Sequence, residues 1–183
     1  MTKLTAAEQS NAQHWPCTAR HEAGHAVAAV VVSRELERDY PSFHRVLIRP
    51  GISGPSIDTR GRAIDCLGLL EREGSWQPRL YPHDVLRQTE AYMKILWVKC
   101  MTLDVIISLG GPFAQARWQG HGSKRSARWD ALLGGGCRDD YRIAENTIAD
   151  LRAMTRRGSL QAFEARTYDL VKREWRMPWA RSF

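Results

Sequence analysis

The sequence predicts a mainly α domain with one small antiparallel β-hairpin, an α+β arrangement in which helices supply the core. Three observations lead there. Residues 19–36 run without a breaker other than Gly24. Residues 85–107 carry apolar side chains at helical spacing. Between them lie two short segments rich in β-branched residues, bounded by Gly and Pro.

Residues 1–15 are polar with weak helical character and are expected to form an N-terminal arm. Pro16 and Thr18 then supply helix-start chemistry, since proline tolerates the first turn and threonine can cap free N–H groups. The helix that follows runs from Ala19 to about Leu36. Its Val30-Val31-Val32 cluster would suit a strand, but the length of the run favours a buried helix. Tyr40-Pro41-Ser42 stops it. His44–Arg49 alternates and reads as the first strand, and Ala63–Leu70 as the second, antiparallel to it, across loops marked by Pro50-Gly51 and Gly54-Pro55. Two short strands are not stable alone, so they must pack on helices.

Pro82-His83-Asp84 opens the next helix, whose apolar face includes Leu86, Leu96, Trp97, Cys100, Leu103, Ile106 and Ile107. Gly110-Gly111-Pro112 either ends that helix or marks a tightly packed break before Phe113–Trp118. Gly120–Gly136 reads as a loop of low helix propensity. Helices over 139–156 and 159–176 complete the chain. The resulting organisation is an arm (1–15), one domain (16–158), and a C-terminal helix and tail (159–183) packed on it.

Composition limits the function classes. The 183 residues are 43% hydrophobic and 26% charged, the balance of a folded globular protein. No apolar run approaches the ~18–20 residues that cross a bilayer, the longest candidate being Ala26–Val32. The N-terminus lacks the apolar stretch of a secretory signal, so a cytoplasmic location and no membrane partner are expected. Cys17, Cys66, Cys100 and Cys137 form no CxxC pair and are expected to be free thiols. The net charge is +7. Its densest cluster, Arg117-Trp118 through Lys124-Arg125 to Arg128-Trp129, is expected to be a solvated basic loop, and no nucleic-acid motif accompanies it.

The chemistry lies in residues 21–25, His-Glu-Ala-Gly-His. A spacing of four puts the His21 and His25 imidazoles on one helical face, a turn apart, where both can hold one Zn²⁺. Glu22 lies beside that face, placed to take a proton from a water that the metal has acidified. With six histidines and ten glutamates, HExxH would arise by chance in about one such chain in a hundred. Here it also opens a helix that continues into an apolar run. Catalytic zinc usually takes a third protein ligand, and His44, His83, His121, Cys137 and several acids qualify by type. Among the acids, Asp140 shares its helical stripe with Ala144, Ile148 and Leu151 and faces inward. Asp139 shares a more polar stripe with Ile143, Asn146 and Asp150, which suits a helix cap. His121 and Tyr141 qualify by type as oxyanion stabilisers, though a surface histidine and a packing tyrosine are the plainer expectations.

The stretch His21–Val27, HEAGHAV, resembles the peptidase domain of the FtsH family of ATP-dependent zinc proteases. Three further segments fall in that family's order: His44–Pro50 is similar to the strand after the motif helix, Leu109-Gly110-Gly111 to a leucine–glycine–glycine segment, and Gly136–Ala144 to a glycine-started segment opening a helix. The resemblance spans roughly residues 16–156 and places Asp140 on the family's third zinc ligand, with Asp139 where asparagine is usual. It implies a helical zinc-peptidase domain, a Zn²⁺ cofactor held by His21, His25 and Asp140, and Glu22 as catalytic base. The chain contains no GxxxxGK[ST] motif, so the expected activity is metalloendopeptidase action on flexible or unfolded polypeptides, ATP-independent by itself. Relatives form hexameric rings, so a homo-oligomer and a separate ATPase or adaptor are the implied partners. Two other readings compete: a catalytically weak zinc-containing binding or adaptor module, and a nucleic-acid-associated factor using the basic loop. Glu22 argues against the first, because a purely structural site has no need of a base beside its ligand.

Overall fold

A computed structural model describes residues 6–35, 45–48, 56–57, 63–64, 68–71, 91–133 and 137–174. These are mainly helical. Helix α1 spans Ala6–Glu35, α2 Ala91–Trp118, α3 Lys124–Leu133, α4 Arg138–Thr155 and α5 Leu160–Glu174. Four strand segments lie between α1 and α2: β1 (Arg45–Ile48), β2 (Ser56–Ile57), β3 (Ala63–Ile64) and β4 (Gly68–Glu71). The register opposes Arg45 to Glu71 and Ile48 to Gly68 in β1 and β4, and β2 lies antiparallel to β3. β1 and β4 rest on α1.

Helix α1 begins ten residues before the Pro16 expected to start it, and Pro16 lies inside it. The segment before Pro16, AAEQSNAQHW, contains no glycine or further proline to stop a helix. The expected arm is thus helical from Ala6 onward. Gly110-Gly111-Pro112 neither ends nor breaks α2, which continues to Trp118 with Pro112 fully buried. The stop comes at Gly120, whose φ of +94° suits glycine. There the His121 N–H bonds to Ala116 O (3.0 Å) and the Gly120 N–H to Arg117 O (3.2 Å), closing the helix with a paired terminal turn.

The expected loop over 120–136 contains α3. Ser123 starts it, its Oγ accepting the Ser126 N–H at 3.1 Å. Tertiary contacts complete it: Ala127 is fully buried, and Arg128 Nε lies 2.8 Å from Glu164 Oε1 on α5. Part of the basic cluster is therefore committed to the fold, although Lys124 and Arg125 stay exposed. Glu164 also accepts the Tyr141 hydroxyl at 3.3 Å, so α3, α4 and α5 meet at one buried polar knot. Burial raises the pKa values of both Glu164 and Tyr141.

The core is centred on α2, which packs against all four other helices. It buries Leu103, Val105, Ile106, Leu109 and Phe113 at 0–1% exposure. Within its segment Lys94–Trp118 an 18-residue window has a mean hydropathy of 1.4, so by length and composition alone the helix could cross a bilayer, which corrects the expectation drawn from uninterrupted apolar runs. Lys99 and Asp104 break the run without removing its average hydropathy. Here the segment serves as the central helix. α4 runs from Arg138 to Thr155, ends with Arg156 at φ +57°, and presents Ala144, Ile148 and Leu151 inward as the periodicity indicated. Among the described residues, Cys17, Cys100 and Cys137 form no disulfide. Cys66, and the parts of the expected elements at 82–90 and 175–183, lie outside the described residues.

Candidate metal centre

Three helices converge on one small volume. α1 presents His21, Glu22 and His25, at 8%, 6% and 6% exposure, on the stripe that continues into buried Ala28, Ala29 and Val32. α4 brings Asp140 to them from its first turn. His21 Nε2 lies 3.0 Å from Asp140 Oδ2 and 3.0 Å from His25 Nε2, which is 3.5 Å from Asp140 Oδ1. The ligand atoms of these three side chains all fall within 4.8 Å of one another. Around a tetrahedral ion with bonds of about 2.0–2.1 Å, ligand atoms sit about 3.3 Å apart, so these separations suit a divalent cation. Two imidazoles and one carboxylate are also the donor chemistry that such ions prefer.

The third helix, α2, forms the floor. Ile107, Gly111 and Gln115 recur every fourth residue, a single face laid along the motif helix. Opposite His25, the Ile107 carbonyl accepts a hydrogen bond from Nδ1 at 2.6 Å. The Gly111 N–H also lies 3.3 Å from this nitrogen, but one atom cannot carry a proton and offer a lone pair. The shorter contact sets the tautomer, leaving the His25 Nε2 lone pair facing Asp140 and His21. Opposite His21, Gln115 Oε1 accepts the Nδ1–H at 3.1 Å. A Cβ on Gly111 would overlap His25 Nε2 and stand 2.8 Å from His21 Nε2. One turn away Gly24, inside the motif, meets Gly110 backbone to backbone, where a Cβ on Gly24 would overlap the Gly110 carbonyl oxygen and Ala114 Cβ. The small residues of the motif therefore receive α2.

Electrostatics follow from this packing. Burial opposes charge on His21, but hydrogen bonds to Asp140 and Cys137 outweigh it and hold its pKa up at about 10. A cation entering the site must displace that proton. Burial raises the Glu22 carboxyl to about 7, against the attraction of His21 and with the repulsion of Asp140. The sign for stability is definite. The folded apoprotein holds the Glu22 proton up to about pH 7, whereas the unfolded chain releases it near 4.5. Stability is therefore lost as pH rises between those values, by about 3 kcal/mol in total. Glu22→Gln should raise the apoprotein's unfolding free energy by up to that amount at pH 8 and by little at pH 4. Denaturant melts at the two pH values, with chelator present, measure it, and equal gains at both would contradict the assignment.

Of the other candidates, Asp139 is exposed and pairs with Arg142 at 3.1 Å. It is not the expected cap: the residue preceding the helix is Cys137, which makes no side-chain cap. Asp139 sits two positions past the cap, where its charge still favours the helix start. Cys137 is buried, with Sγ 3.8 Å from His21 Nδ1, on the ring edge away from Asp140. His121, partly exposed beyond the end of α2, is not in the group. Tyr141 packs in the core against Glu164, as expected of a packing tyrosine. His44 and His83 lie outside the described residues. Sequence reasoning missed Gln115 and the Ile107 carbonyl, although a four-residue spacing through Gly111 carries the signal. Comparison of the chain with protein-family models, curated proteins and solved structures gave no significant match.

Proposed function

We propose that the protein is a zinc-dependent metalloendopeptidase that hydrolyses flexible or unfolded polypeptide segments. The observation that carries this reading is the convergence of His21, His25 and Asp140 within 4.8 Å beside a buried carboxyl, Glu22, whose pKa stands near 7. A metal site serving structure alone would be expected to close its coordination with four protein side chains and has no use for a neighbouring base. The resemblance of the motif and Asp140 segments to the FtsH family points the same way.

His21, His25 and Asp140 would hold Zn²⁺, which when bound supplies Lewis acidity at the scissile carbonyl and acidifies a water. Glu22 accepts that water's proton and returns it to the leaving amine. A group titrating near the working pH suits both transfers. Buried surroundings keep the charge of Glu22 weakly solvated and so strengthen its basicity. Strand β1, paired with β4 and resting on α1, would offer an edge to which an extended substrate can add by main-chain hydrogen bonds. Folded substrates would reach the site only after unfolding by an ATPase module or delivery by an adaptor.

Wild type and Glu22→Gln, purified in parallel, test the reading through zinc content and cleavage of an unfolded protein. Equal zinc with cleavage falling by about 10²–10⁴-fold in the variant is the expected result. Zinc bound by both with no cleavage by either would replace the peptidase by a binding module.

A further inference from the structure

The face of α2 that backs the motif helix offers both histidines neutral oxygen acceptors rather than carboxylates. His25 Nδ1 meets a main-chain carbonyl, Ile107 O, at 2.6 Å, which no substitution at residue 107 can readily remove. His21 Nδ1 meets a side chain, Gln115 Oε1, at 3.1 Å. Gln115 also receives the Cys137 S–H, 3.8 Å from Oε1, and Sγ stands 3.8 Å from His21 Nδ1. The amide oxygen thus collects two donors from two other helical segments. Because the acceptor fixes the proton on Nδ1, it leaves Nε2 free toward Asp140 and prevents the ring from turning its other nitrogen inward.

We propose that Gln115 is the positioning residue of this centre, holding His21 in the ligating tautomer and orientation, with Cys137 steadying the amide. The inference rests on the zinc reading above and adds a residue that acts only through His21. A neutral acceptor orients the ring without making it as basic as a carboxylate would.

Two substitutions separate orientation from packing. Gln115→Met preserves volume and removes the acceptor, whereas Gln115→Glu preserves the acceptor and adds charge. Zinc dissociation constants by chelator competition, with apoprotein melting as a control for folding, give the readout. The expected result is a 10–100-fold loss of affinity in Gln115→Met and affinity equal to or above wild type in Gln115→Glu. Wild-type affinity in Gln115→Met, or equal losses in both variants, would overturn the positioning role while leaving the zinc reading intact. Absence of zinc binding by wild type itself would overturn both, and so the two failures are distinguishable.

Discussion

Asp140→Asn should lower zinc affinity more than any outer-sphere substitution, by over about 100-fold, while Asp139→Asn leaves it unchanged. The two residues are neighbours of identical chemistry, so the contrast isolates geometry. Asp140 places its oxygens 3.0 and 3.5 Å from the two Nε2 atoms, whereas the Asp139 carboxylate is 81% exposed and engages Arg142. Asparagine keeps the shape of Asp140 but removes the charge that offsets the cation and the proton-bearing His21. Zinc titration of the two variants against a competing chelator measures the difference. Equal losses would mean that the first turn of α4 binds the ion through either acid, and the inward register of Asp140 would fail as an explanation.

Gly111→Ala and Gly24→Ala should both damage the protein, but in different observables. At Gly111 the added methyl meets the imidazole atoms His25 Nε2 and His21 Nε2. Rings can rotate away, so the fold survives, but rotation breaks the bonds to Ile107 and Gln115 and scatters the ligand atoms. A loss of measurable zinc binding, with melting changed by less than about 1 kcal/mol, is the expected signature. At Gly24 the methyl meets the Gly110 carbonyl and Ala114 Cβ, and main chain cannot step aside. α1 and α2 must separate along their length, at a cost of about 1–3 kcal/mol or more, partly offset by the helix propensity that alanine adds. Chemical denaturation reads this directly. Should Gly24→Ala prove neutral in stability, the close crossing of the two helices would be refuted.

Much of this was legible before the tertiary structure. The period of 3.6 puts His21 and His25 on one face, and the same period distinguishes Asp140 from Asp139 through Ala144, Ile148 and Leu151. Both inferences are local, needing only the geometry of a single helix. The sequence misled where a local signal was outweighed. Pro16 sits within α1, not at its start, and Gly110-Gly111-Pro112 lie inside a continuous helix. Glycine and proline weaken an isolated helix, yet Gly110, Gly111 and Pro112 are buried where α2 packs on α1 and α4, and at Gly110 and Gly111 the absence of side chains is what permits the approach; Pro16 is exposed. The helix at Lys124–Leu133 consists mostly of good helix formers and was hidden by the glycines that flank it; the Ser123 cap and the Arg128–Glu164 pair hold it.

Sequence alone thus determined which residue types lie where on a helix: two imidazoles on one face, a carboxyl beside them, and the inward acid of a distant helix. Only the tertiary structure decided that these faces meet, that Gly24 and Gly110 set how closely, and that Ile107 and Gln115 orient the rings. The physical reason is that periodicity is a property of neighbours along one chain segment. Convergence of ligands from residues 21 to 140 depends on how three helices pack, and packing is decided by shapes that no single segment contains.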